Sequence, residues 1–151
     1  MLLLFVKLLL AHLIGDFMLQ PLKWVIHKEA NKARSKYLYF HIIIHFLLYM
    51  LALWNVSLWW IALIIAASHL LIDIAKLYAN PLFKNKNIPF FIDQLLHVLV
   101  LYSCCFYEEL PEHTIALFQN LDWPLVVAIV FVTSPSAIIM GQLLEGMSNQ
   151  I

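Results

Sequence analysis

Eight ionisable residues stand in four pairs within stretches that are otherwise apolar: His12 and Asp16, His41 and His45, His69 and Asp73, Asp93 and His97. Every pair is spaced i, i+4, which on an α-helix sets both side chains on one face, about one turn apart. Imidazole nitrogens and carboxylate oxygens are donors for zinc, iron and manganese, and helical bundles build metal sites from such short-spaced pairs on facing helices. A set this large exceeds the shell of one ion and suits two, which in two-metal hydrolases lie about 3.5–4 Å apart. The bland alternative is hydrogen-bonding glue between helices. Ionisable groups in apolar segments are costly, however, and four pairs together favour function.

The elements that must position these pairs follow from composition. Of 151 residues, 64% are apolar and 12% charged, where a soluble domain has about 45–50% and about 25%. A mean hydropathy of +0.87 points to an all-α, polytopic helical membrane protein and excludes soluble globular, disordered and collagen-like classes. The same apolar composition excludes a strongly nucleic-acid-seeking chain, and nine Lys+Arg balanced by nine Asp+Glu leave only the distribution of charge informative. About five transmembrane helices are predicted, over 1–20, 37–54, 57–79, 88–107 and 123–144. Helix-boundary prolines sit where these segments begin or end: Pro21, Pro81, Pro89 and Pro124. With three glycines and no flexible linker, residues 1–151 read as one domain. His12 and Asp16 interrupt the first segment, which argues for a retained helix rather than a cleaved signal peptide. The adjacent Cys104 and Cys105 lack metal-type spacing and read as packing residues.

Orientation is expected from the basic residues, which cytoplasmic connections retain. Lys23, Lys28, Lys32, Arg34 and Lys36 lie in the connection 21–36, and Lys84 and Lys86 in 80–87. The connection 108–122 carries Glu108, Glu109, Glu112 and Asp122 and no basic residue. The N-terminus is then outside and the C-terminus inside, in a bacterial cytoplasmic (inner) membrane. On this topology all four pairs fall within about four to ten residues of a cytoplasmic helix end, roughly 6–15 Å at 1.5 Å per residue. His12, His45, His69 and His97 form a deeper level, and Asp16, His41, Asp73 and Asp93 a shallower one.

Other polar residues take lesser parts. Lys76 shares a face with Asp73 and either holds an anionic substrate group or snorkels to the headgroups. Gln20 and Gln94 read as groups that orient ligands or cap helices. Lys7 is expected to reach the outer interface, and His27 and His113 fall in loops outside the site. Thr133-Ser134-Pro135-Ser136 should kink the fifth segment. Trp24, Trp54, Trp59, Trp60 and Trp123 read as interface anchors.

The order LLLAHLIGDFMLQ, HIIIH, SHLLIDIAK and FFIDQLLH over residues 8–97 resembles a bacterial membrane family known as a domain of unknown function, DUF3307. The family pattern is met at His12, Asp16, His41, His45, His69, Asp73, Lys76, Asp93, Gln94 and His97. The resemblance implies a fold and a site more than a reaction. Its motif style is similar to inner-membrane metal-dependent hydrolases and, more distantly, to zinc phospholipases C and single-strand nucleases. Many members of the family carry further C-terminal helices.

The leading functional expectation is a membrane-embedded metal-dependent hydrolase acting on a phosphoester or lipid-like substrate near the cytoplasmic face. The cofactor would be a divalent metal, zinc first, with iron or manganese as alternatives, in one or two copies. The histidines and Asp73 are the principal ligand candidates within the set of eight, Asp16 or Asp93 the general base, and Lys76 the substrate contact. Membrane lipid is the expected partner, with a homo-oligomer as a further expectation. The alternative is an ion- or proton-coupled transporter using the same cluster, although broken helix pairs and inverted repeats are lacking and only the fifth segment looks interrupted. A bis-histidine haem carrier is a third reading, disfavoured by the ring of carboxylates.

Overall fold

The structure, a computed structural model, describes residues 2–85, 87–106 and 121–148. Regular structure among them is entirely helical. Helix α1 (Leu2–Leu13) passes without interruption into a π-helical turn over Ile14–Met18, closed by the Leu19 N–H on the Ile14 carbonyl at 2.9 Å. Pro21 has no N–H to continue a ladder and stands as the N-cap of α2 (Leu22–Asn31). The chain turns there, and the two helical segments meet at 83°. The stretch expected to be a loop is therefore largely helix. Its apolar residues are too few for a span, and the basic content that marks it as a connection does not oppose a short helix.

A 3-10 turn (Lys32–Arg34) and an extended Ser35 lead into α3 (Lys36–Leu53), which ends on Trp54 in the left-handed region at φ 49°. The Asn55 side chain accepts from the Ser57 N–H at 3.0 Å and opens the turn into α4 (Trp59–Ala79). Asn80-Pro81 closes α4 with a 3-10 turn, and α5 runs over Asn87–Cys104. Asp122 caps α6 (Trp123–Thr133) by accepting from the Leu125 N–H at 3.1 Å. Helix α7 (Pro135–Ser148) follows after a 45° bend, so the fifth expected segment is two helices broken at the proline.

Three helical stretches, Lys36–Leu53, Val56–Leu82 and Asn87–Cys104, are long and apolar enough to cross a membrane, and the count reaches five if each bent pair is one span. The bend after the first expected segment falls at its boundary proline Pro21, and the kink expected in the fifth segment is a 45° break at Pro135. The acidic residues Glu108, Glu109 and Glu112, together with His113 and Lys86, lie outside the described residues.

The inward faces repeat every four residues. Helix α3 buries Leu38, His41, His45, Tyr49 and Leu53; α5 buries Pro89, Asp93, His97 and Leu101; α4 buries Ile61, Ile65, His69, Asp73 and Leu77 on one row, with Ala62 and Ala66 beside it. The histidines and aspartates fill one half of this buried interior. Leu4, Leu8, Tyr49, Leu53, Ile61, Ile65 and Leu101 fill the other as a continuous apolar core. Outward faces carry exposed Ile43, Leu47, Leu51, Leu63, Leu71, Leu95 and Leu99. A polar centre inside an apolar exterior is the arrangement that a bilayer favours as solvent.

Candidate metal centre

All four sequence pairs meet at one place, because α1 with its π turn, α3, α4 and α5 each turn their paired face inward. The five imidazoles are at most 3% exposed. His69 is central: its ring stacks on His45 and on His97, each with centroids 3.9 Å apart. The His12 ring completes the deeper level, 5.8 Å from His45, 5.5 Å from His69 and 5.1 Å from His97. His41 lies edge-on to His45, with centroids at 4.4 Å.

Asp16 is the hub of one half of the site. Its Oδ1 has three imidazole Nε2 atoms close by: His45 at 2.9 Å, His41 at 3.2 Å and His69 at 3.4 Å. Its Oδ2 is 3.7 Å from His12 Nε2 and accepts from the Gln94 amide at 3.1 Å. The π turn contributes directly, since it carries Asp16 and also Gly15. A Cβ added at Gly15 would overlap the His45 ring, 2.5 Å from Nε2 and 3.0 Å from Nδ1. Only a residue without a side chain lets α3 bring His45 this close to the π turn.

Asp73 and Asp93 form the other half. Asp73 Oδ1 is 3.9 Å from His69 Nε2 and 3.7 Å from His97 Nε2, and Oδ2 is 3.9 Å from His41 Nε2. Asp93 Oδ1 lies 3.4 Å from His97 Nε2, but neither atom has a hydrogen-bond partner. Each carboxylate also holds a lysine. Lys28 Nζ donates to Asp73 Oδ2 at 3.0 Å, and Lys76 Nζ donates to Asp93 Oδ2 at 2.7 Å.

Three groups have donor atoms close enough to share an ion: His12, Asp16, His45 and His69; His41, His69 and Asp73; and Asp73, Asp93 and His97. His69 and Asp73 each belong to two of them. The Nδ1 atoms of His12, His45 and His69 are buried without a hydrogen-bond partner, while their Nε2 atoms face the cluster.

The family described as Protein of unknown function (DUF3307) matches residues 4–125. The chain belongs to that family. The match takes in α1 to α5 with every residue of the cluster and ends in the first turn of α6. No curated protein and no solved structure matches the chain.

Of the other expected residues, Gln94 bridges the halves: it donates to Asp16 Oδ2 and to Asp93 Oδ2, both at 3.1 Å, and its Oε1 lies 3.3 Å from His12 Nε2. Gln20 rests on the His41 ring, 2.8 Å from Nε2. Lys76 neither hangs free at the site nor reaches outward; its ammonium holds Asp93 and lies 5.3 Å from the Phe90 ring centre. Lys7 is buried, 5.4 Å from the Trp123 ring centre. His27 is on α2 rather than in a loop, and its Nδ1 is 2.8 Å from Oγ of the buried Ser35. It stays out of the cluster, as expected.

Sequence reasoning missed Lys28. Its basic character counts equally as a cytoplasmic marker, so nothing in residue type alone sends it inward. The available signal is helical spacing. Trp24 and Lys28 are i, i+4 on α2, and both turn from solvent while Leu22, Lys23 and Ile26 stay exposed.

Proposed function

We propose that the chain is a metal-dependent hydrolase embedded in the bacterial cytoplasmic membrane, with its His/Asp centre near the cytoplasmic face. The single observation that carries this reading is the crowding at Asp16 Oδ1, where three imidazole Nε2 atoms lie within 3.4 Å. One carboxylate oxygen has too few lone pairs to serve three N–H donors with good geometry. In a tetrahedral shell with metal–ligand bonds of about 2.0–2.1 Å, ligand atoms stand about 3.3 Å apart. The spacings of 2.9–3.4 Å about Oδ1, and the 3.3 Å between His41 and His69 Nε2, are of that size. The donor set fits zinc first, with iron or manganese as alternatives.

A bound ion would lower the pKa of a coordinated water and polarise a scissile phosphoester or lipid ester bond. The chain supplies the rest. Asp93 is the better placed general base, because Lys76 and Gln94 occupy its Oδ2 and leave the buried Oδ1 open to take a proton. Asp16, surrounded by imidazoles, serves as a ligand. Lys76, the more exposed of the two lysines at 26%, is the group nearest to meeting an anionic substrate. The exposed Leu22 and Ile26 of α2, with exposed Lys23, fit a helix lying at the headgroup level. Lipid is therefore the favoured source of substrate, with the N-terminus outside and the C-terminus inside.

The test is metal content. Detergent-purified protein, prepared without chelator, should carry zinc, iron or manganese by elemental mass spectrometry, and a His45→Ala, His69→Ala variant should lose it. Full retention in that variant would overturn the reading.

A further inference from the structure

Resting on the metal reading above, we infer that the centre holds one divalent ion, in the group His12, Asp16, His45 and His69, and that Lys28 and Lys76 take the place of a second. The two halves of the cluster differ in how their charge is already met. Asp16 is approached by four imidazoles and the Gln94 amide, and by no lysine among the described residues. Asp73 and Asp93 each carry an ammonium group on Oδ2, at 3.0 and 2.7 Å. The Lys28–Asp73 contact is buried on both sides, each side chain 8% exposed, whereas in the second pair Asp93 is 1% exposed and Lys76 is 26% exposed.

Charge decides between one ion and two. The ligand imidazoles of His12, His45 and His69 bind a metal in their neutral form, and the carboxylates and lysines lining the centre contribute three negative and two positive charges. One divalent ion leaves a single net positive charge in the interior, which one anionic group of a substrate can neutralise. Two divalent ions would leave three. Unbalanced charge in a low-dielectric interior is costly, and each further uncompensated charge adds to that cost. The lysines also obstruct a second ion directly, since a metal on the Asp73, Asp93 and His97 group must compete with an ammonium already on each carboxylate. The open atoms of that group, Asp93 Oδ1 and His97 Nε2, are then free for proton transfer.

The geometry also explains why α2 leaves the line of α1. The 83° turn at Pro21 brings Lys28 across the end of the bundle and onto Asp73. A straight continuation of α1 would carry it away from the cluster.

The experiment uses the full chain in detergent, stripped, reloaded with zinc and desalted, with zinc per chain read by elemental mass spectrometry. Wild type should hold one equivalent. His97→Ala should keep it, because His97 lies outside the occupied group. Lys28→Met with Lys76→Met should bind a second equivalent, since two carboxylates are then left without counter-charge. Two equivalents in wild type, loss of zinc from His97→Ala, or a lysine variant that stays at one would each overturn the assignment. Should the lysine variant not accumulate, the His97→Ala result decides it alone. No zinc in wild type is a different outcome: it removes the metal reading on which the inference stands.

Discussion

Gly15→Ala adds one methyl group and changes no polar atom, yet it should disable the centre. The new Cβ would stand 2.5 Å from His45 Nε2 and 3.0 Å from Nδ1, against an ordinary contact of about 3.5–4.0 Å. The imidazole must therefore retreat by about 1 Å, and the opposing atoms are a ring on α3 rather than a flexible tip. A shift of that size takes the 2.9 Å contact between His45 Nε2 and Asp16 Oδ1 beyond hydrogen-bond and coordination range. The net cost to folding is about 0–2 kcal/mol. Overpacking costs about 1–3 kcal/mol, and replacing glycine in a helix returns about 1 kcal/mol. Metal affinity should fall at least as far as for loss of a group that orients a ligand, about 10–100-fold. Gly141 supplies the matched control, because a Cβ there meets nothing within 4 Å. Gly141→Ala should gain about 1 kcal/mol of helix propensity and leave zinc binding unchanged. Zinc titrations of both variants, beside thermal unfolding in the same detergent, read the two effects separately. Wild-type zinc affinity in Gly15→Ala would refute the assignment of His45 to the centre.

Asp93→Asn should keep zinc while hydrolysis of a responsive phosphoester falls by about 10²–10⁴, the usual contribution of a positioned base; a loss of zinc instead would make Asp93 a ligand. In a background with Cys104 and Cys105 replaced by serine, a cysteine at Lys23 should react with an impermeant thiol reagent only from the cytoplasmic side, and one at Asn55 only from outside. The reverse pattern would invert the topology. Proteoliposomes bearing the wild-type chain should show no proton flux above empty vesicles, and a flux abolished by Asp16→Asn in metal-free protein would favour an ion relay.

Much of the site was legible because ionisable residues are so rare in long apolar helices that the few present stand out. The i, i+4 pairs mark the inward row of each helix, and the same four-residue step carries the apolar positions, as in Asp93, His97 and Leu101. The rings of His12, His41, His45 and His97 all gather around His69, so the array is not divided into the two expected levels by ring contact. What escaped depends on local backbone geometry. The π turn over Ile14–Met18 has no composition of its own, and without it Gly15 reads as an ordinary helix glycine. Helix α2 is too polar to register as a span and too short to show a repeated stripe, so Lys28 was read only by its charge. Lys76 was placed on the right face, but its partner could not be foreseen, because Asp93 comes from α5 and the crossing of α4 and α5 sets the 2.7 Å contact.

The position of the polar array within the bundle bears on metal against relay. A relay needs protonatable groups or water from one side of the bundle to the other. Here the histidines and aspartates are continuous with one another but occupy one half of the interior, and Tyr49 stands between His45 and the apolar half, its ring 5.5 Å from the imidazole. Beyond it Leu4, Leu8, Leu53, Ile61, Ile65 and Leu101 pack as one buried cluster with no ionisable side chain among them. A proton reaching His12 or His45 would meet this apolar layer next. The same layer suits a hydrolytic centre. It packs behind the ligands and lowers the dielectric around them, while Lys76 beside Asp93 is partly exposed. An array that stops half-way is a defect in a conduction path and an advantage in a binding site, and that contrast weighs for the metal centre.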